Sequence, residues 1–395
     1  MKGALLKTAA CAGLLSIVAT GAANAGGFSR GTAPIDLLYE DGNFNIRFDA
    51  RVVLPHQEYS KNANPALVGS NYYEKYIVPS VGFKFNISDN FRCVGTYTQN
   101  NGSSVEYDSP KIVSGKVSEN FHTDEFGATC AVRFAVGSGV FSVLGGGFVE
   151  ELTYNRVTDL GTATGIPFLV GFSSPLKLDG QEYGWRAGLA YEIPDIKLRA
   201  ELLYRSGTNY GADGTLVVPG ALVGAPLPSV TLPATAVGSL PQSVELNVRS
   251  GIAEGWLAFG SVRWADWSVL DTLSVTTALS TTVDQYHWRD GWTLTGGVVH
   301  AFTDTFAGQI SLTWDEGVST GWDLRGETWT LALGGRVRAP VGGEFRFGAG
   351  IAYLASEETT EYADAFLPGN PHSGFNEATD TGYAVGLNVG YIVQW

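Results

Sequence analysis

Charge is the first thing this sequence is short of. Asp, Glu, Lys and Arg make up 16% of its 395 residues, where soluble domains carry about 25%, so an ordinary soluble α/β enzyme is a poor fit. Cations are scarcer still, with 25 Lys+Arg against 39 Asp+Glu and a formal net charge of −14. A phosphate-neutralising surface needs clustered cations, which excludes nucleic acid as a partner. Three cysteines are too few for a disulfide framework. Beyond the N-terminus no stretch offers about 18 consecutive apolar residues free of Pro and charge, so no membrane-spanning helix is expected. Disorder is excluded too, because 44% of the chain is hydrophobic and 12% aromatic. What is abundant is glycine, 51 residues, nearly double its usual share of about 7%.

The N-terminus is read as a secretory signal peptide, residues 1–25. Lys2 and Lys7 precede an apolar run from Ala9 to Ala19, and Ala23-Asn24-Ala25 has the small-x-small pattern of a cleavage site. Cys11 follows Thr8 and precedes the apolar run, which does not suit lipid attachment. Removal leaves Cys93 and Cys130, placed on consecutive strands; a disulfide is open to them, but two small apolar residues in a sheet is the preferred reading. An exported chain without spanning helices enters a membrane only as a closed β-barrel, since nothing else satisfies its backbone polar groups in lipid.

Alternation supports that reading. At the C-terminus Tyr383, Val385, Leu387, Val389, Tyr391, Val393 and Trp395 are large and apolar, while Ala384, Gly386, Asn388, Gly390 and Gln394 between them are small or polar, with Ile392 the exception. Ending on the aromatic Trp395 resembles the terminal signal by which outer-membrane barrels are delivered to their assembly machinery. Ile196 to Tyr204 and Trp329 to Val337 alternate likewise, with aromatic ends suited to membrane girdles. Short turns at 88–90, 137–139, 194–195, 253–255, 303–304 and 340–343 alternate with long linkers near 55–74, 101–119, 156–174, 209–240, 269–285, 318–325 and 361–377. This spacing predicts an all-β transmembrane antiparallel β-barrel of about fourteen strands over residues 44–395, with the short turns periplasmic. No repeat of about 40 to 50 residues suggests a soluble propeller. Residues 26–43 lack alternation and are too few for a domain; they either trail into the periplasm or fold up into the barrel as a plug, a short N-terminal hatch.

Two of the outer linkers are unusually apolar. Residues 211–240 carry one charge, Asp213, among many Val, Leu, Ala and Pro, and Ile166 to Phe172 is similar; the two linkers either fold over the mouth and bury each other or form an apolar groove in which Phe168 and Phe172 meet a hydrophobic solute. The inward parity carries many arginines, among them Arg186, Arg199, Arg249 and Arg263. Most should pair with lumen carboxylates, leaving one or two for the carboxylate of an amphipathic ligand. Catalysis has little support: the five histidines show no HExxH spacing, GxSxG is absent, and Gly145-Gly146-Gly147 lacks the following helix of a phosphate loop. No cofactor and no metal is expected.

From 239 to 270 the sequence resembles the signature strand pair of the long-chain fatty acid transporter (FadL) family of outer-membrane proteins. The residues that carry this are Leu240-Pro241, Trp264-Ala265-Asp266-Trp267-Ser268 and, opening the next strand, Trp288-Arg289-Asp290. The resemblance implies a fourteen-stranded barrel with an N-terminal hatch that admits hydrophobic molecules by passive diffusion. It further implies that Phe28, after Gly27, reaches an interior binding pocket. Gln99-Asn100-Asn101-Gly102 would form an inward kink of the third strand, giving a lateral opening. There are departures: Gly31-Thr32-Ala33-Pro34 stands in the hatch, Asn64-Pro65-Ala66 lies past the first strand, and Leu324-Arg325-Gly326-Glu327 replaces an Ile-Pro-Asp stretch.

The expectation is therefore a monomeric outer-membrane channel, in contact with outer-membrane lipid, for passive uptake of hydrophobic small molecules such as long-chain fatty acids. A general porin for polar solutes and an outer-membrane hydrolase are the rival readings, told apart by conductance in planar bilayers and by assay on esters.

Overall fold

The computed structural model describes residues 26–112, 114–225, 228–339, 342–360 and 377–395. The expected signal peptide and all but the end of the 361–377 linker lie outside the described residues. Fourteen antiparallel strands form the wall. They are β1 (Phe44–His56), β2 (Tyr76–Ser88), β3 (Phe91–Glu106), β4 (Lys116–Val136), β5 (Gly139–Asp159), β6 (Ser173–Ile193) and β7 (Leu198–Arg205). The second half comprises β8 (Ser243–Ala253), β9 (Trp256–Ala265), β10 (Gly291–Ala301), β11 (Phe306–Asp315), β12 (Thr328–Arg338), β13 (Glu344–Leu354) and β14 (Gly382–Gln394). The wall closes because β1 pairs with β14, from Asn45↔Gln394 to His56↔Tyr383, as well as with β2. Closure pairs the two terminal strands, which would otherwise leave free edges in lipid.

The period of two decides which side chains meet lipid. On β12 Leu331 and Leu333 are exposed on the outside while Ala332 and Thr330 are buried within. Neighbouring registers then align aromatics into a belt near the outer rim, Trp264 opposite Trp292, Trp314 opposite Trp329, Trp329 opposite Tyr353, and Tyr353 opposite Tyr383. A lower belt includes Phe345 against Tyr391, ring centroids 4.5 Å apart. From Trp329 down to Val337 the apolar band is about 20 Å tall, taking a rise of about 3.3 Å per residue and a tilt of about 40°. The strands β4, β5 and β6 have 21 residues each, twice the roughly 9–11 needed to cross, and so continue above the outer rim.

That extension changes the expected character of residues 209–240. They are not an irregular loop: Thr208–Pro219 and Ser229–Leu240 pair as a hairpin that continues the wall above β7 and β8. The first arm pairs with the top of β6, and the second with Thr272–Thr277. Small residues at every second position explain it, because Ala212, Ala234 and Ala236 turn one face inward while Asp213, Thr235 and Val237 stay outside. The 156–174 linker is shorter than expected, since β5 runs to Asp159, which caps a one-turn helix at Leu160–Thr164 by accepting from Thr162 N at 2.8 Å.

Cys93 and Cys130 are disulfide-bonded, which corrects the preferred reading of them as two packed thiols. They are direct cross-strand partners on β3 and β4, with Cα atoms 4.0 Å apart. A sequence separation of 37 conceals that register.

Residues 26–43 run through the enclosed bore. Ile35, Leu37 and Leu38, on a short 3-10 helix at Ile35–Tyr39, pack on Val94, Ala131, Leu144, Ala190 and Ile392. The break in β14 alternation at Ile392 thus serves this contact. Asp36 accepts two hydrogen bonds from Arg47, at 2.6 and 2.8 Å, and Glu40 accepts one from Arg346 at 3.1 Å. Burial by itself would raise the Asp36 carboxyl, but the Arg47 guanidinium outweighs it and holds the group well below the usual carboxylate range.

Candidate functional site

Gly27 and Phe28 enter the apolar centre of the upper barrel. The Phe28 ring lies 4.6 Å from Phe121, 4.6 Å from Trp288, 5.7 Å from Tyr286 and 6.0 Å from Trp267, measured between centroids. Gly27 has φ +54°, and a Cβ there would stand 2.6 Å from the Trp267 indole, so only glycine admits this approach. Beside the cluster is an apolar cavity of about 60 Å³, lined by Phe28, Phe121, Leu178, Tyr210, Leu240 and Leu273 among others. The upper hairpin supplies one wall of it, and β4, β5 and β6 another.

The signature residues are the frame of this site. Trp267 is fully buried against Phe28, and Leu240 packs in the same cluster. Asp266 accepts from Gln242 Nε2 at 2.9 Å and from Ser268 Oγ at 2.7 Å, while Trp264 Nε1 donates to Asp290 at 2.9 Å. The polar members of the motif hold the rim in place while its second tryptophan supplies apolar surface.

Immediately after Phe28 the chain meets β3. The register between β3 and β4 shifts between Gln99 and Asn101, which makes Asn100 a bulge residue. Its carbonyl accepts from Arg30 N at 2.8 Å and Gly31 N at 3.3 Å, and Phe28 O accepts from Gly102 N at 2.8 Å. Pairing between β2 and β3 stops at Ser80↔Thr98, although β2 stays paired with β1 to Tyr76 and β3 with β4 to Glu106. The wall therefore lacks a ladder between Tyr76–Pro79 and Gln99–Ser103, and Glu74 N meets Ser104 O at 3.1 Å above it. The N-terminal segment occupies that break. A Cβ at Gly31 would lie 2.6 Å from Gln99 O and 2.8 Å from Val78 Cγ1. Arg30 spans the two sides, over the Tyr76 ring at 4.2 Å and donating to Ser104 Oγ at 3.3 Å.

A buried polar network anchors the bulge. The Asn100 side chain donates to Glu150 and accepts from Thr123 Oγ1 at 2.7 Å. Glu150 also accepts from Thr208 Oγ1 at 2.8 Å, Tyr210 OH at 2.7 Å and Arg205 at 2.6 Å. Glu125 accepts from Arg186 and, at 2.9 Å, from Arg205. One connected set thus joins the bulge to the base of the upper hairpin, where Tyr210 lines the apolar cavity.

The residues singled out from sequence divide accordingly. Phe28 and the Gln99–Gly102 stretch come together, joined through the backbone. Arg186 is taken up by Glu125 and, with Arg199, Arg249 and Arg263, lines a larger lumen cavity that reaches up to Ser29 and Asn100. Phe168 is 77% exposed, Phe172 half-buried, and neither lines the apolar cavity. Sequence reasoning missed Arg325. Its guanidinium lies 5.1 Å from the Phe28 ring and 5.1 Å from the Tyr73 ring, and it donates to Ser103 Oγ at 2.8 Å. Among the described residues it has no carboxylate ion-pair partner, and its Nε is buried without an acceptor. The one signal was its place in Leu324-Arg325-Gly326-Glu327, noticed only as a departure.

Fold and site together define an outer-membrane β-barrel with an apolar cavity in its bore. The profile of the family described as outer membrane protein transport protein (OMPP1/FadL/TodX) matches residues 18–316. The chain belongs to this family, whose members are transport channels. Among characterised sequences it is 24% identical over 268 residues to a long-chain fatty acid transport protein of Salmonella typhi, covering 60% of each chain. With the protein of that name from Escherichia coli O157:H7 it shares 27% over 146 residues, 34% of this chain and 32% of the relative. The matches thus span between a third and three fifths of these relatives. Among solved structures, a Pseudomonas aeruginosa FadL homologue superposes with a TM-score of 0.72 at 15% identity, covering 94% of this chain and 96% of that one. The Pseudomonas putida toluene transporter TodX gives 0.61 at 14%, covering 94% and 96%. A monoaromatic hydrocarbon channel, CymD, gives 0.60 at 11%, covering 93% and 95%.

Proposed function

We propose that the cargo is an amphipathic molecule with an apolar body and a carboxylate, of which long-chain fatty acids are the type, and that it leaves sideways through the wall. The observation that carries this is the sharing of residues. Phe28 lines the apolar cavity, and the three residues after it fill the break between β2 and β3. A cargo that displaces the Phe28 ring draws Ser29–Gly31 from the break and opens a route to lipid. Lateral exit suits a greasy solute, for which a water-filled bore is unfavourable by about 25 cal/mol per Å² of apolar surface. Arg325 supports the carboxylate, offering a charge-assisted hydrogen bond at the edge of the cavity. The names of the curated relatives agree with an acid, and TodX and CymD are named for neutral aromatics.

On this reading residues 1–25 are removed on export, residues 26–43 are a hatch, and a monomer suffices. Closing the break is the test. Deletion of Asn100 removes the bulge and restores a regular ladder; oleate uptake by cells should then fall at least tenfold while oleate binding to the purified barrel persists. Uptake at the unaltered rate in a folded variant refutes the lateral route.

A further inference from the structure

Asp315 ends β11 on the inner side of the wall, one residue after Trp314 of the outer belt, and only 2% of it is exposed. Its carboxylate accepts from Thr293 Oγ1 at 2.7 Å, from Gly317 N at 3.0 Å and from Gly26 N at 2.7 Å. All three donors are uncharged in the unprocessed chain. Among the described residues Asp315 makes no ion pair, and Arg263 acts on it without forming one. Elsewhere in the bore buried carboxylates are met by arginine, Glu125 by Arg186 and Arg205, Glu344 by Arg336 and Arg346. A carboxylate taken out of water is costly unless a cation pairs with it.

The residue that brings the third donor is the one that the cleavage pattern marks. Ala23-Asn24-Ala25 puts the expected cut between Ala25 and Gly26. Gly26 and Gly27 both have left-handed backbone, φ +64° and +54°, and a Cβ on Gly26 would stand 2.7 Å from Val318 Cγ1. Glycine alone admits this approach. Ser29 N donates back to Gly26 O at 3.2 Å, closing a turn that sends the Gly26 nitrogen to Asp315 and the Phe28 ring into the apolar cluster.

We propose that removal of residues 1–25 supplies the missing cation: the α-ammonium group of Gly26 pairs with Asp315 and fixes the N-terminal segment in the barrel. The proposal rests on that removal and not on which cargo the channel carries. Hydrolysis of the Ala25–Gly26 bond by a signal peptidase consumes one water, whose oxygen joins the Ala25 carbonyl carbon while the Gly26 nitrogen leaves as an amine. The proton of the new carboxyl group ends on that amine, whose ordinary pKa of about 7.7–8.0 keeps it charged at neutral pH. A neutral peptide N–H thus becomes a cation at hydrogen-bonding distance from a buried carboxylate, and charge-assisted bonds are roughly twice as strong as neutral ones. Before the cut the same nitrogen carries no charge, so processing and the seating of Phe28 are coupled.

The test uses the whole barrel purified in detergent from cells that export it, with mass spectrometry of the N-terminal peptide to establish the first residue. Gly26 is expected there. Two variants separate charge from packing: Asp315→Asn, and a serine inserted between Ala25 and Gly26, which changes no existing residue and moves the α-amine by about 3.8 Å. Acylation of the α-amine by a succinimidyl ester at neutral pH, and trypsin cleavage after Arg30, should each be roughly tenfold faster in both variants than in the unaltered protein. Combined, the two changes should do no more than either alone, because each removes the same pair. Heat-modifiable migration on gels checks that the variants are folded. A first residue other than Gly26 overturns the proposal together with the cleavage reading. Gly26 in first place, with acylation or cleavage unchanged in folded variants or with effects that multiply, overturns the ion pair and leaves the cleavage reading standing.

Discussion

Replacing Arg325 by Gln separates an acid from a neutral hydrocarbon. Arg325 stands over Phe28 with its Nε unaccepted, and its other contacts are Ser103 Oγ at 2.8 Å, Gly27 O at 3.5 Å and the Tyr73 ring. A hydrogen bond to a charged group contributes about 1.5–3 kcal/mol, and a factor of ten corresponds to about 1.4 kcal/mol. Glutamine keeps much of the volume and a donor but no charge. R325Q should therefore weaken oleate binding by about ten- to a hundredfold and change toluene binding by less than about threefold. The assay is competition against a fluorescent fatty acid with the purified barrel in detergent, at two salt concentrations. The site is enclosed, so the loss should persist at high salt. Equal effects on oleate and toluene would show that Arg325 serves only to pack Phe28. No effect on either would remove it from the binding site.

Three further outcomes follow from single contacts. Gly27→Ala combines a left-handed backbone with a Cβ directed into Trp267; about 1–2 kcal/mol of backbone cost plus the clash should displace Phe28 and lower oleate affinity, read by the same competition. Asp36→Asn breaks a buried pair with Arg47, a change of about 3–5 kcal/mol, and should expose the N-terminal segment to limited proteolysis. Because the Asp36 carboxyl is held below its ordinary value, its contribution is complete above about pH 4 and is lost only as pH falls below that. Proteolysis of the unaltered protein should thus be flat from about pH 5 to 8, and a rise within that window would contradict the assignment. Leu331→Arg, on the lipid face of β12, should cost about 2–4 kcal/mol in reversible unfolding from lipid vesicles if it sits at mid-bilayer depth, whereas a change under about 0.5 kcal/mol would place that face away from lipid.

The strands, their number and which face meets lipid could be read from the chain itself. Alternation and loop length are local properties, and the membrane imposes them strand by strand, as the C-terminal run from Tyr383 to Trp395 shows. The places of Phe28 in the interior and of the bulge at Asn100 were accessible through resemblance. The rest depended on register and on contacts distant in sequence. Nothing local reveals that Cys93 lies opposite Cys130 or that Arg249 faces Arg199. That Gly31 fills the break in the wall is equally hidden. Arg186 looked like a ligand for cargo until folding brought Glu125 against it, while Arg325 looked like a loop residue until folding laid it over Phe28. An arginine's chemistry depends on which acceptors lie within about 3 Å, and in a barrel those acceptors come from strands and segments tens or hundreds of residues away.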